Sequence, residues 1–242
     1  MNKKINKIID FCLSFIYPER CAICDDVISY EAGGICAECI KKIKLIDHNR
    51  CYKCGKQLMQ DVEEYCHDCK KISHNFDRGY SLFTYAGDIK ESIYRFKYAN
   101  RRRYAKFYGD MISKELYSEI KSLSPDALIP VPIHKKRLKK RGYNQAELIA
   151  DEIGLRMGIP VLKNYIIRTK YTKPLKLLSA IERQNNLKKA FKIAQNDVKL
   201  ESIVIVDDIY TTGSTVDEIS GILKGAGVKK VYFVSLASGY NI

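Results

Sequence analysis

The 242-residue sequence contains no apolar run approaching the length of a membrane span, and no cysteine after Cys69. The first absence removes a bilayer-crossing helix from consideration, because such a helix needs about 20 predominantly apolar residues. Near the start, Asn6, Lys7 and Asp10 interrupt the apolar core that a secretory signal would keep intact, so a cytoplasmic protein is expected. Ile5, Ile8, Ile9, Phe11, Leu13, Phe15 and Ile16 fit a short, largely apolar helix packed on the rest of the chain. A peripheral membrane contact is the alternative for that segment.

The second absence divides the chain. All nine cysteines precede residue 70, and the charge divides there too. Up to Asn75 there are 12 Lys and Arg against 11 Asp and Glu, so +13 of the net +14 belongs to the remainder. The boundary falls within Lys70 to Gly79, giving two expected domains, 1–75 and 76–242. The length and the 46% hydrophobic content allow a sizeable core.

Four CxxC pairs occupy the first domain: Cys21/Cys24, Cys36/Cys39, Cys51/Cys54 and Cys66/Cys69, each pair starting fifteen residues after the last. Two thiolates on one tight turn share a Zn²⁺, and a second pair about a dozen residues on completes a tetrahedral Cys₄ site. Eight ligands imply two structural zinc ions. The period favours tandem ribbons, Cys21, Cys24, Cys36 and Cys39 on one ion and Cys51, Cys54, Cys66 and Cys69 on the other. Spacing also permits cross-bracing, first pair with third. Four disulfides would suit a secreted protein, which nothing in the sequence indicates. So small a region cannot bury enough apolar surface to fold alone, and metal binding supplies the missing free energy. Cys12 falls outside the period and reads as a small buried apolar residue, while His48, His67 and His74 read as surface or turn residues.

The second domain alternates strands and helices, as in a mostly parallel α/β sheet. Strands are expected near Tyr80 to Tyr85, within Asp126 to His134 where a buried strand ends in a proline-bearing loop, and near Tyr165 to Ile167, Ile203 to Val206 and Val231 to Ala237. Helices are expected after Asp88 and Glu91 in capping-box spacing, from about Tyr104 to Ser122, and over Asn144 to Gly158.

The densest signal is "IVIVDDIYTTGST", Ile203 to Thr215. Its β-branched run reads as a strand covered on both faces, which puts Asp207 and Asp208 at the carboxyl edge where open α/β sheets bind ligands. Thr211, Thr212, Gly213, Ser214 and Thr215 then open a helix, with Thr215 and Glu218 spaced as a capping box. Backbone N–H groups beside the positive end of a helix dipole cradle phosphate. Adjacent carboxylates suit ribose hydroxyls, or a cation bridging to them. Together they ask for a ribose 5-phosphate.

Three further segments are candidates for the same edge: "PVPIHKKRLKKRGYNQ", with six basic residues in the seven from Lys135 to Arg141; Arg168 to Asn186, with Ser179 and Glu182 capping a later helix; and "YANRRRYAKFY". Arg101, Arg102, Arg103, Tyr104, Lys139 and Lys140 are candidates to meet nucleic acid, with Tyr98, Tyr104, Tyr108 and Tyr143 interleaved among the cations as stacking surfaces.

These residues resemble the type I phosphoribosyltransferase signature. More narrowly, "YPERCAIC", the double ribbon, "PVPIHKKRLKKRGYNQAELIA", "LLSAIERQNNLKKAF" and "VIVDDIYTTGST" resemble the ComF/GntX family of bacterial competence-related proteins over nearly the whole chain. The resemblance implies a type I phosphoribosyltransferase-like α/β fold preceded by a small double zinc ribbon. It implies a phosphoribosyl pyrophosphate site formed by Asp207, Asp208, Tyr210, Thr211, Thr212, Gly213, Ser214 and Thr215, with Mg²⁺ carried by the ligand. Val131, Pro132 and His134 would form the pyrophosphate loop, with Lys135, Arg137 or Arg141 supplying charge. The segment containing Arg168, Thr172 and Arg183 would be a lid. Two positions depart from the pattern. Leu175 stands where a lid Gln is common, and Thr211 stands where purine-using relatives carry an acid beside the incoming base. The implied role is DNA uptake in natural transformation through single-stranded DNA, often beside a helicase-like ATPase. A phosphoribosyltransferase with an unidentified acceptor, and a sensor of phosphoribosyl pyrophosphate, are the alternatives.

Overall fold

The computed structural model describes residues 18–60, 62–170, 190–194 and 199–239. The expected N-terminal apolar helix, Cys12, and the lid beyond Lys170, including Thr172, Leu175 and Arg183, lie outside the described residues.

Two zinc-ribbon units open the described chain and are built alike. In the first, an isolated bridge pairs Arg20 with Val27 and a short helix, α1, runs Ala37–Lys42. In the second, thirty residues on, Arg50 pairs with Gln57 and α2 runs His67–Lys71. Each helix begins immediately after a cysteine, so the second CxxC of each unit sits on a first helical turn.

The second domain follows as β1 (Arg78–Thr84), α3 (Gly87–Tyr98), α4 (Tyr104–Glu115), α5 (Tyr117–Ser122), β2 (Ala127–Pro130), α6 (Lys135–Arg141) and α7 (Gln145–Met157). It continues through β3 (Ile166–Arg168), β4 (Phe191–Ile193), β5 (Ser202–Tyr210), α8 (Ser214–Gly225) and β6 (Lys230–Ser238). The main sheet has the order β1-β6-β5-β2 with every pairing parallel. The expected strand at Tyr165 to Ile167 forms, but it pairs antiparallel with β4 in a separate two-stranded sheet.

Side-chain alternation splits β5 between two cores. Val204 and Val206 enter a cluster with α4, α7 and the first ribbon. Ile203 and Ile205 enter a second cluster with α8, β4 and the second ribbon. The continuous apolar run is thus the mark of a strand buried on both faces.

Local chemistry moves several boundaries. Two of the expected caps, Asp88 with Glu91 and Thr215 with Glu218, fail to form: α3 starts after Ala86 and α8 after Gly213, and neither start carries a side-chain cap, while Ser179 and Glu182 lie outside the described residues. At both starts the turn is made by the backbone, with Gly87 at φ 47° and Gly213 at φ 78°, conformations open to glycine without a Cβ penalty. The expected helix from Tyr104 to Ser122 breaks at Leu116 into α4 and α5. The Lys135 to Arg141 segment forms a helix closed by Gly142 in the left-handed conformation. His74 is corrected from a surface residue to a covered one: its side chain is 2% exposed, stacks on Phe76 at 4.7 Å and lies 3.5 Å from Asp217 on α8. Among the described residues no helix is long and apolar enough to cross a membrane.

Candidate functional site

The eight period-bearing cysteines resolve into two clusters, Cys21, Cys24, Cys36 and Cys39, and Cys51, Cys54, Cys66 and Cys69. Within each, the sulfurs lie within 4.8 Å of one another. Pairing is sequential and cross-bracing is excluded. The Cys24–Cys36 and Cys54–Cys66 sulfur separations are 3.9 and 3.6 Å. Tetrahedral Zn²⁺ with bonds of about 2.3 Å sets sulfurs about 3.8 Å apart, so both clusters fit zinc. In the first, the backbone N–H groups of Ile23 and Cys36 donate to the Cys21 sulfur and that of Cys39 to the Cys36 sulfur, as suits thiolates.

The carboxyl edge of the main sheet collects the second group of candidates. β5 runs through both acids to Tyr210, so Asp207 and Asp208 belong to the strand rather than following it. Because β2 pairs with β5, Pro130 against Val206, the loop leaving β2 starts beside the acids; Val131 N–H donates to the Val206 carbonyl at 2.9 Å. Asp207, Tyr210 and Thr211 to Thr215 line one depression. Thr212 and Ser214 hydroxyls meet at 2.9 Å there.

Burial and the neighbouring Asp208 carboxylate push the Asp207 carboxyl up to about 7, against the pull of Lys97 and Arg168. Lys97, near the end of α3, donates to Asp208 at 2.8 Å. Arg168 of β3 lies with its guanidinium 5.2 Å from the Phe191 ring centre. Burial and the Arg137 charge draw its pKa down to about 10, opposed by attraction to Asp207. Burial and the charges of Arg168, Lys136, Arg137 and Lys135 likewise lower that of His134. Arg137, Arg168, His134 and Asp207 therefore share one electrostatic neighbourhood.

Tyr210 has a different place from the one its position suggested. Its ring is 2% exposed and stacks on Phe233 at 4.6 Å. It forms the floor beneath the loop, since a Cβ on Gly213 would come within 2.5 Å of the Tyr210 hydroxyl. Lys56 of the second ribbon lies beneath the same ring, 5.6 Å from its centre, and is paired with Asp68 at 2.7 Å.

The "RGYNQ" stretch, residues 141–145, ties α3 to this edge. The Tyr143 hydroxyl and the Gln145 amide donate to the Phe96 carbonyl, and Asn144 donates to the Val131 carbonyl at 3.0 Å. Helix end and loop are thereby held together, which aims Lys97 at Asp208. Arg141 lies over the Tyr98 ring of α3 at 5.2 Å and donates to Gln145 at the start of α7.

The nucleic-acid candidates separate. Lys139 and Lys140 are exposed on α6. Arg102 packs over Tyr143 at 4.9 Å and donates to the Gly142 carbonyl, while Arg103 is exposed just ahead of α4. Arg101 is corrected to an interdomain strut, paired at 2.6 Å with Asp25 of the first ribbon. Tyr104, Tyr108 and Tyr143 are corrected from stacking surfaces to core residues, 2%, 0% and 5% exposed. Packing covers their rings, and their hydroxyls find partners in Asp25, Ser92 and the Phe96 carbonyl. Tyr98 remains exposed at 61%. Sequence reasoning missed Lys97, Lys56 and Asn144.

Comparison with known proteins agrees with this layout. Residues 12–70 match the double zinc ribbon domain and residues 138–240 the phosphoribosyl transferase domain. Competence protein F of Haemophilus influenzae is 33% identical over 228 residues, covering 90% of this chain and 96% of its own. DNA utilization protein YhgH of Escherichia coli K12 is 28% identical, covering 88% and 94% respectively. Competence protein ComFC of Bacillus subtilis is 27% identical, covering 81% and 84%. With two sequential Cys₄ sites, a parallel α/β sheet and this extent of similarity to competence protein F, the chain belongs to the ComF family.

Proposed function

We propose that this ComF-family protein acts in DNA uptake from the cytoplasmic side by binding single-stranded DNA, and that its carboxyl-edge site binds phosphoribosyl pyrophosphate with Mg²⁺. The observation that carries the ligand is the adjacency of Asp207 and Asp208 to the open loop of Thr211 to Thr215. The loop offers backbone donors and hydroxyls to a 5-phosphate, and the acids offer acceptors to ribose hydroxyls or to the cation. Val131 to His134, with Lys135, Arg137 and Arg168 nearby, suit the pyrophosphate. The DNA part draws on the names of the relatives and on the basic charge of the second domain.

Lys97 donates to Asp208 Oδ1 alone, which leaves the other carboxylate oxygen to accept from a ribose hydroxyl. Thr211 supplies no carboxylate for an incoming base, which leaves a purine acceptor without the contact that purine-using relatives make.

Calorimetric titration with phosphoribosyl pyrophosphate and Mg²⁺, with and without an oligonucleotide, tests this function. Saturable binding is expected, removed by Asp207→Asn with Asp208→Asn. Affinity should fall as pH drops below about 7, because the buried carboxyl must be ionised to accept from ribose. Absence of binding at pH 8 sinks the site, and pyrophosphate release with a base from a broad panel makes the protein a transferase.

A further inference from the structure

We propose that Tyr94 and Tyr98 form a base-stacking platform for single-stranded DNA. The proposal rests on the nucleic-acid function above and gives it a location. Tyr94 and Tyr98, four apart, share one face of α3, and Lys97, three residues after Tyr94, stands at the edge of that face. From that edge Lys97 reaches Asp208. Asp208 and Tyr98 both act electrostatically on Tyr85, which sets the Tyr98 end of the pair near the acids.

The rings are 53% and 61% exposed, with centroids 4.9 Å apart and planes tilted by 49°. Packing of α3 is supplied by the opposite face, where Ile89, Ser92, Ile93 and Phe96 are buried. Two large aromatic rings held side by side in water offer π-faces to unpaired bases, which a duplex keeps stacked internally. Arg141 lies against Tyr98 and extends the surface to α6, whose Lys139 and Lys140 are exposed for the phosphates. Cation beside aromatic, in one continuous strip, is the chemistry that binds a single strand.

Fluorescence anisotropy with labelled oligo(dT) tests the platform. Tyr94→Ala with Tyr98→Ala should weaken binding roughly tenfold or more, and the double Phe variant should keep it within about twofold. Replacing the bases by abasic sites should weaken wild-type binding and leave the double Ala variant nearly unchanged. If the double Ala variant also lost phosphoribosyl pyrophosphate, disturbance of α3 would be at issue, and Tyr98→Trp decides. The chain has no tryptophan, so this substitution gives a single reporter whose emission oligo(dT) should quench. Unquenched emission at saturation overturns the platform. Quenching by a free base and not by oligo(dT) also overturns it, in favour of an acceptor pocket. A wild-type protein that binds oligo(dT) while the double Ala variant binds equally well refutes the platform alone; a wild-type protein that does not bind refutes the DNA function itself.

Discussion

The two zinc ribbons share a backbone and differ in what they press against. Asp25 and Gly55 hold the same place in the knuckle, both at φ 71°, and their N–H groups bond to the carbonyls of Cys21 and Cys51 at the same 2.9 Å. A Cβ on Gly55 would meet the Gly79 carbonyl at 2.6 Å and the Tyr80 Cα at 2.8 Å, because the second knuckle lies on the start of β1. The first knuckle has room for a side chain and uses it: Asp25 takes Arg101 at 2.6 Å and the Tyr104 hydroxyl at 2.5 Å. One position is glycine for close approach and its counterpart is an acid for charge. The next position differs as well, exposed Asp26 against buried Lys56, which is 3% exposed beneath the Tyr210 ring. The first ribbon thus braces helices α3 and α4, and the second supports the loop from Thr211 to Thr215.

Removing each metal site should separate these roles most strongly. Cys54→Ser is expected to cost several kcal/mol, a melting shift of about 10 °C or more, and to abolish phosphoribosyl pyrophosphate binding. Cys24→Ser, at an exposed ligand, should lower stability less and leave most ligand affinity. Chelator-driven zinc release should accordingly show two phases, the more exposed first cluster emptying first, and a single phase would break the distinction.

Exchanging the knuckle residues comes next. Gly55→Asp should destabilise by about 3 kcal/mol or more, since the neighbouring atoms are backbone and cannot move aside. Asp25→Gly should cost about 1–2 kcal/mol, losing two partners while relieving a left-handed residue. Equal costs in chemical denaturation would mean that the packing difference has no energetic weight.

Lys56→Met should cost about 1–3 kcal/mol, less than a fully buried pair, because Asp68 is 38% exposed and rehydrates. It should also weaken phosphoribosyl pyrophosphate measurably in calorimetry, through Tyr210 and Gly213. The mirror substitution Asp26→Lys, on the exposed surface, should stay within about 0.5 kcal/mol in thermal melts.

Much of this contrast was hidden in the sequence. The fifteen-residue period announces two metal ions, yet it treats Asp25 and Gly55, or Asp26 and Lys56, as interchangeable turn residues. The acids and the small-residue loop were legible because one strand and one helix start are local. Tyr104, Tyr108 and Tyr143 were not, because interleaved cations look alike whether the rings are exposed or buried. The capping boxes misled for a related reason: the side chains were present at the right spacing, but glycine turns set both helix starts.

By itself, the sequence determined which groups the protein carries: eight cysteines in pairs, two adjacent carboxylates, a loop of small hydroxyl residues and glycine opening a helix, and a basic second domain. Residue type and short spacing are both written along the chain. Only the tertiary structure decided which ribbon supports the loop, that Lys97 holds Asp208, and that Tyr94 and Tyr98 stay in water while Tyr104, Tyr108 and Tyr143 do not. Those outcomes depend on which faces of distant elements meet, and burial and ion pairing are sums over contacts that no local stretch contains.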